Sequence, residues 1–175
     1  PQDVLDQAFR NDECHLKGIA RAGVGVDNID LETATKYGVA VMNSASASTI
    51  TTAELAFALM ISLARNVASS NAVFRDGGWD RSEYVGVQLA GRTLGIVGMG
   101  RIGQAMARRA IAFGMEVIGF DPFMKESTAL DGNVRMLETF DELISQVDIV
   151  SFHVPKTEKT DGMLGQEAFA KAKEG

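Results

Sequence analysis

The sequence predicts an α/β fold built on parallel strands. Residues 16–43 read as strand, glycine turn, helix and strand, and residues 92–120 follow the same order. A β–turn–α–β succession of this kind argues for a parallel sheet. Glycine gives a third sign. Its 18 copies in 175 residues exceed the usual share of about 7%, as suits a fold with many tight turns beside a ligand.

Taken in order, "PQDVLDQAFRND" reads as an amphipathic helix, with Val4, Leu5, Ala8 and Phe9 at helical spacing. It has no initiator Met and no basic–apolar–small targeting layout. "LKGIARAG" (16–23) reads as a short buried strand running into a glycine turn. Asp30 is placed to cap the helix "LETATKYG", which Gly38 closes, and "VAVMN" is the next strand.

Thr51 with Glu54 three residues on has the capping-box form and predicts a helix start there. From Ala53 to Ala64 only Glu54 and Ser62 are polar, so this helix is apolar nearly all round. It is too short to span a bilayer and belongs between two domains or two subunits. Residues 69–91 are polar, carry Gly77-Gly78-Trp79, and read as a connecting arm with a helical stretch around Ala72–Arg75.

A second unit begins at Arg92. "TLGIVG" is a strand, residues 102–113 a helix with Gly114 as its C-cap, and "MEVIGF" the following strand. "FDELISQV" makes a helix capped by Asp141 or a neighbour, and "DIVSFHVP" a third strand ended by Pro155. "QEAFAKAKEG" is a last helix with Gly175 in the C-cap place. Both ends of the chain read as cuts through a larger design.

Bulk properties exclude several functions. A net charge of −6 and a pI near 4.9 argue against a broad surface for nucleic-acid phosphates. Cys14 stands alone, which rules out an intrachain disulfide and predicts a reducing, cytoplasmic setting. With no second Cys and no spaced His pair, neither a metal site nor a nucleophilic role for Cys14 is expected. His15 reads as a surface loop residue.

The chemistry concentrates at residues 98–121. Gly98, Gly100 and Gly103 form G-x-G-x-x-G directly after a strand and directly before a helix. In that context the first glycine allows a tight turn, the second lets backbone approach a pyrophosphate, and the third permits close helix–strand packing. The helix starting near Ile102 offers free N–H groups and a positive dipole end. Asp121 closes the next strand about 20 residues on, where a ribose-binding carboxylate belongs. Its negative charge favours NAD over NADP, with Lys125 close enough to leave a question. Arg101 reads as a pyrophosphate partner or as a solvated turn residue. His153 ends the third strand on the ligand-binding edge of the sheet. With no orienting partner in the sequence, it reads as cofactor-lining or packed rather than as a general base.

Together "LKGIARAGVGVDNIDLETATKYGVAVMN", "TAELAFALMISLARNV", "GGWDRSEYVGVQLAGRTLGIVGMGRIGQAMARRAIAFGMEVIGFDP" and "DIVSFHVPKTEKTDGML" resemble the D-isomer-specific 2-hydroxyacid dehydrogenases over nearly the whole chain. The resemblance implies a Rossmann-type parallel sheet, here its first half, joined to part of a flavodoxin-like substrate domain. Residues 1–46 would close the first half of the substrate domain, 47–90 form the interdomain helix and dimer-contact arm, and 91–175 the incomplete NAD-binding domain. It places Arg21, Val24 and Gly25 in the loop facing the substrate carboxylate. Arg101 and Ile102 then match the pyrophosphate contact, Asp121 with Pro122 the ribose side, and His153, Val154, Pro155 and Thr160 the adenosine side.

The implied activity is hydride transfer between NAD and a small 2-hydroxy acid, with 3-phosphoglycerate the favoured substrate, in a cytoplasmic homodimer of serine biosynthesis. The family's carboxylate-binding arginine and its acid–histidine pair have no counterpart in these 175 residues, and the chain alone is expected to be inactive. A proline usual two residues after Asn43 is replaced by Ala45, leaving that hinge less rigid. The alternative is a non-enzymatic, NAD-responsive binding module of the same superfamily.

Overall fold

The computed structural model describes residues 15–79, 82–124, 130 and 133–174. The helix expected around Val4–Phe9, Cys14, Lys125 and the Gly175 cap lie outside the described residues. Two compact units divide between Thr49 and Ile50.

In the first unit, β1 (Gly18–Arg21), α1 (Leu31–Lys36) and β2 (Ala40–Asn43) follow in order. The two strands pair in parallel, from Gly18 opposite Ala40 to Arg21 opposite Asn43. Helix α1 starts where its cap predicts: Asp30 Oδ1 accepts the Thr33 N–H at 2.9 Å. It ends at Tyr37, and Gly38 carries the chain out at φ +68°. Ala34 and Val39 form a small core with Ile19, Tyr37 and Val41 against it. The expected burial of β1 does not hold, since only Ile19 is half-buried and the rest of the strand is exposed. The described part of this unit offers two strands and one helix, too little apolar material to cover both faces of a sheet.

The second unit contains α2 (Thr49–Ala64), α3 (Val67–Arg75), β3 (Thr93–Val97), α4 (Arg101–Ala112), β4 (Glu116–Phe120), β5 (Arg135–Leu137), α5 (Phe140–Ile144), β6 (Ile149–Phe152) and α6 (Gln166–Lys171). Its four strands lie in the order β5-β4-β3-β6, every pair parallel. Strand β5 has no counterpart in the sequence reading, because "RML" is too short to show a period. The strand counted third there is therefore the fourth of this sheet.

Strand β3 lies at the centre, and its alternation sends side chains to two cores. Leu94 and Ile96 pack with Phe57 and Met60 of α2 and Met106, Ala107 and Ala110 of α4. Val97 packs on the other face with Ile118, Leu143, Ile144 and Val147. Each such burial contributes about 1.5–3 kcal/mol. Gly95 is required on that second face, because a Cβ there would lie 2.6 Å from Leu143 Cδ2.

Several boundaries differ from expectation for identifiable reasons. Helix α2 begins at Thr49, not Thr51, because turns ending in Ala47 N–H to Ser44 O and Thr49 N–H to Ser46 O lead straight into it. Thr51 therefore lies inside the helix and not at its cap, and Glu54 accepts from Arg109 Nη2 of α4 at 3.1 Å. Helix α3 starts at Val67, earlier than the expected Ala72, after Asn66 turns the chain at φ +53°. Thr139 caps α5 in a reciprocal box with Glu142, while Asp141 lies inside the helix and pairs with Lys171. Helix α6 ends on Ala172.

Only one side of α2 is covered: Ala53, Phe57 and Met60 are buried, whereas Leu55, Leu59 and Leu63 are 62%, 62% and 82% exposed. Among the described residues no single helix is long and apolar enough to cross a membrane.

Candidate cofactor site

The candidate site is assembled at the carboxyl ends of β3, β4 and β6. Where β3 ends, Gly98 turns the chain at φ +91°. A Cβ at this position would lie 2.6 Å from the His153 carbonyl oxygen. One at Gly103, in the first turn of α4, would strike the Gly98 carbonyl oxygen. These two glycines are therefore fixed by backbone packing against backbone. Gly100 is different, with φ −65° and no atom within 4 Å of an added Cβ. Its missing side chain leaves open space at the mouth of the loop.

Gly100 is also the N-cap of α4, and its carbonyl accepts from the Gln104 N–H at 3.0 Å. The N–H groups of Arg101, Ile102 and Gly103 come before that bond and have no acceptor within the helix. They add a partial positive charge at the same mouth. The Arg101 side chain is exposed and that of Ile102 half-buried.

Asp121 is tied to this loop from the end of β4. Its Oδ2 accepts the Met99 N–H at 2.9 Å and its Oδ1 the Phe123 N–H at 2.9 Å. It thus shapes the turn through Pro122 and also holds the glycine loop, leaving the second lone pair of each oxygen for a ligand donor. The Gly98 N–H donates to Phe120 O at 2.8 Å, which knits the same two strand ends.

His153 continues β6, and its N–H donates to Val97 O at 2.7 Å. Its ring does have an orienting partner, since Nε2 lies 3.0 Å from Ser151 Oγ. Residues two apart on a strand share a face, a spacing that could have revealed Ser151. Burial holds the His153 pKa below its ordinary 6.5, so the neutral ring predominates. Beyond it, Thr160 Oγ1 donates to Pro155 O at 2.6 Å and accepts the Thr157 N–H at 2.8 Å. Thr160 thereby fixes the turn that borders a groove lined by Phe152, Val154, Pro155 and Met163.

Gln104 was missed in the sequence, because glycine spacing says nothing of the helix residue that follows it. Its Nε2 donates to Met99 O at 3.0 Å.

All three substrate-side candidates belong to the first unit: Arg21 ends β1, and Val24 and Gly25 lie in the loop leaving it. Asn43 Nδ2 donates to Val24 O at 2.8 Å, and the Ser44 N–H is shared between Arg21 O and Gly23 O at 3.2 and 3.1 Å. The Arg21 guanidinium is exposed and bonds its neighbour Ala22 O at 3.1 Å. His15 is exposed. Among the described residues no three His, Cys, Asp or Glu side chains are grouped as metal ligands.

The residues fit the dinucleotide that the motif implies. Two glycines are forced by packing and one is left open, free N–H groups surround the opening, and a carboxylate is anchored beside it. A parallel sheet with this loop at the carboxyl end of its central strand defines the dinucleotide-binding class of α/β domains.

The chain belongs to the D-isomer specific 2-hydroxyacid dehydrogenase family, whose NAD binding domain model matches residues 57–175. It is 48% identical over 172 residues to D-3-phosphoglycerate dehydrogenase of Bacillus subtilis, covering 98% of this chain and 32% of the relative. Against the Methanocaldococcus jannaschii enzyme of the same name, identity is 44% over 169 residues, with 97% and 31% covered. The chain thus spans about a third of the length of the curated relatives it matches. Among solved structures, a Thermus thermophilus protein superposes with a TM-score of 0.87 at 39% identity, covering 99% of this chain and 53% of that one. The apo-structure of D-lactate dehydrogenase from Escherichia coli gives 0.83 at 30% identity, with 98% and 53% covered.

Proposed function

We propose that this chain is the cofactor-gripping part of an NAD-dependent dehydrogenase that interconverts a small 2-hydroxy acid and its 2-oxo acid. The observation that carries the reading is Asp121, held by Met99 N–H against the glycine loop. In the bound complex, Gly98, Gly100, Arg101, Ile102 and Gly103 would hold the pyrophosphate. Asp121 and Pro122 would hold the ribose, and His153, Val154, Pro155 and Thr160 would border the adenosine. NAD, when bound, supplies the hydride acceptor. The chain's own part is to orient it, to disfavour a 2′-phosphate through the Asp121 charge, and to offer the Arg21, Val24 and Gly25 loop to a substrate carboxylate.

The two named relatives support 3-phosphoglycerate as the substrate. In this reading the sheet is the first half of a Rossmann domain, the first unit is part of a flavodoxin-like substrate domain, and α2 with the arm mediates a cytoplasmic homodimer. NADH formation from 3-phosphoglycerate and NAD by these 175 residues alone should stay at the level of a protein-free control, since the motifs matched here include no counterpart of the family's arginine and acid–histidine pair.

Calorimetric titration with NADH and then NADPH tests the reading. Micromolar NADH binding with NADPH at least ten-fold weaker, reversed in Asp121→Ala, supports it. Equal binding of both nucleotides by the wild type removes Asp121 from its role, and no binding of either sinks the proposal.

A further inference from the structure

Two side chains hold the residue between the first two glycines, and only one of them belongs to the motif. Met99 is fully buried. Its N–H, in the peptide from Gly98, donates to Asp121 Oδ2 at 2.9 Å. Its carbonyl, in the peptide to Gly100, accepts from Gln104 Nε2 at 3.0 Å. The other hydrogen of the same amide points to Met124 Sδ at 3.8 Å, in the turn that Asp121 starts. Both neighbours are acceptors, which fixes the orientation of the amide with its NH₂ toward the loop.

The consequence lies at Gly100. A peptide unit is planar and trans, so its C=O and N–H point in opposite directions. By holding Met99 O, Gln104 sets the plane of the Met99–Gly100 peptide and with it the direction of the Gly100 N–H. Gly100 faces the open mouth of the loop, with nothing within 4 Å of an added Cβ. Gly100 follows this peptide, and with no Cβ it leaves the φ on that side sterically free to turn.

We propose that Gln104 is a positioning residue for the cofactor. It holds the Met99–Gly100 peptide so that the Gly100 N–H is pre-aimed at a pyrophosphate oxygen, while Asp121 holds the preceding peptide. Gln104 touches no reacting atom and acts through Met99. The inference rests on the dinucleotide reading above.

The test compares the wild-type chain with Gln104→Met, similar in length but without the donor, by NADH calorimetry and by amide-resolved NMR of the ligand-free protein. NADH binding should weaken about ten-fold, the loss of one charge-assisted hydrogen bond. The Gly100 amide resonance should move or broaden while β3, β4 and β6 keep their shifts. Gln104→Leu serves the same comparison if the Met variant is unfolded. A variant that binds NADH as tightly as wild type overturns the inference and leaves the dinucleotide reading intact. So does weaker binding with the Gly100 resonance unmoved. A wild-type chain that binds no NADH overturns the dinucleotide reading itself, and the inference falls with it.

Discussion

At the scale of single residues, the glycine loop separates packing from recognition. Gly103 has no room for a methyl group, because its Cβ would strike the Gly98 carbonyl and lie 3.2 Å from Ile96 Cγ2. Gly103→Ala should therefore lower stability by about 3 kcal/mol, read as a fall in the urea midpoint. At Gly100 the backbone already suits alanine and the space is open. Gly100→Ala should cost about 1 kcal/mol or less, the weaker N-cap included, yet weaken NADH binding at least ten-fold. The same three letters in the motif thus predict opposite phenotypes.

His153 adds a pH dependence. Burial lowers its pKa from 6.5 in the folded chain, so on acidification the unfolded chain takes up this proton first. The stability carried by the neutral ring is complete above about 6.5, declines as pH drops below that, and levels off beneath the folded-state pKa. Urea midpoints measured across about pH 5 to 8 should fall with acid in wild type and lose part of that slope in His153→Gln.

At the scale of elements, the arm is a closed excursion from α2. It leaves past Asn66 at φ +53° and returns where the Val87 N–H donates to Ala64 O at 2.7 Å. Gly86 makes this closure possible. It sits at φ +66°, and a Cβ there would press on Ala64 O and lie 2.9 Å from Arg65 Cα. Gly86→Ala should cost about 2–3 kcal/mol in a melting experiment. Gly77→Ala shares the positive φ but has nothing within 4 Å, and should cost only about 1 kcal/mol. Equal effects would mean that backbone strain alone, and not closure onto α2, governs the arm. The Arg109–Glu54 pair across α2 and α4 adds little beside this, its carboxylate being largely solvated.

At the scale of the whole molecule, the notable feature is an uncovered apolar row. Leu55, Leu59 and Leu63 recur every four residues on α2, and Phe74 and Trp79 of the arm are 61% and 74% exposed. An exposed apolar row such as the one on α2 suits an interaction site, and the proposed homodimer rests on it. Sedimentation should show a dimer at micromolar concentration. Leu59→Glu with Leu63→Glu should shift it to monomer without lowering the melting temperature, because neither side chain contributes to the buried core. A wild-type chain that sediments as a monomer removes the dimer from the proposal.

What the sequence by itself determined is local or periodic. The strand–glycine–helix order, the Asp30 cap, the glycine fingerprint and the position of Asp121 are all set by backbone sterics or by spacing along one element. Tertiary structure alone decided the rest. Three-residue β5 exists because β4 offers it an edge, since "RML" has too few residues to specify a strand. Helix α2 starts at Thr49 because of the turns before it, and Glu54 pairs with Arg109, a residue 55 positions away. Gln104 and Ser151 join the site because the fold brings Met99 O to the one and His153 to the other. A hydrogen bond between side chains and loops depends on where two elements meet, and a pattern read along one chain segment does not contain that distance.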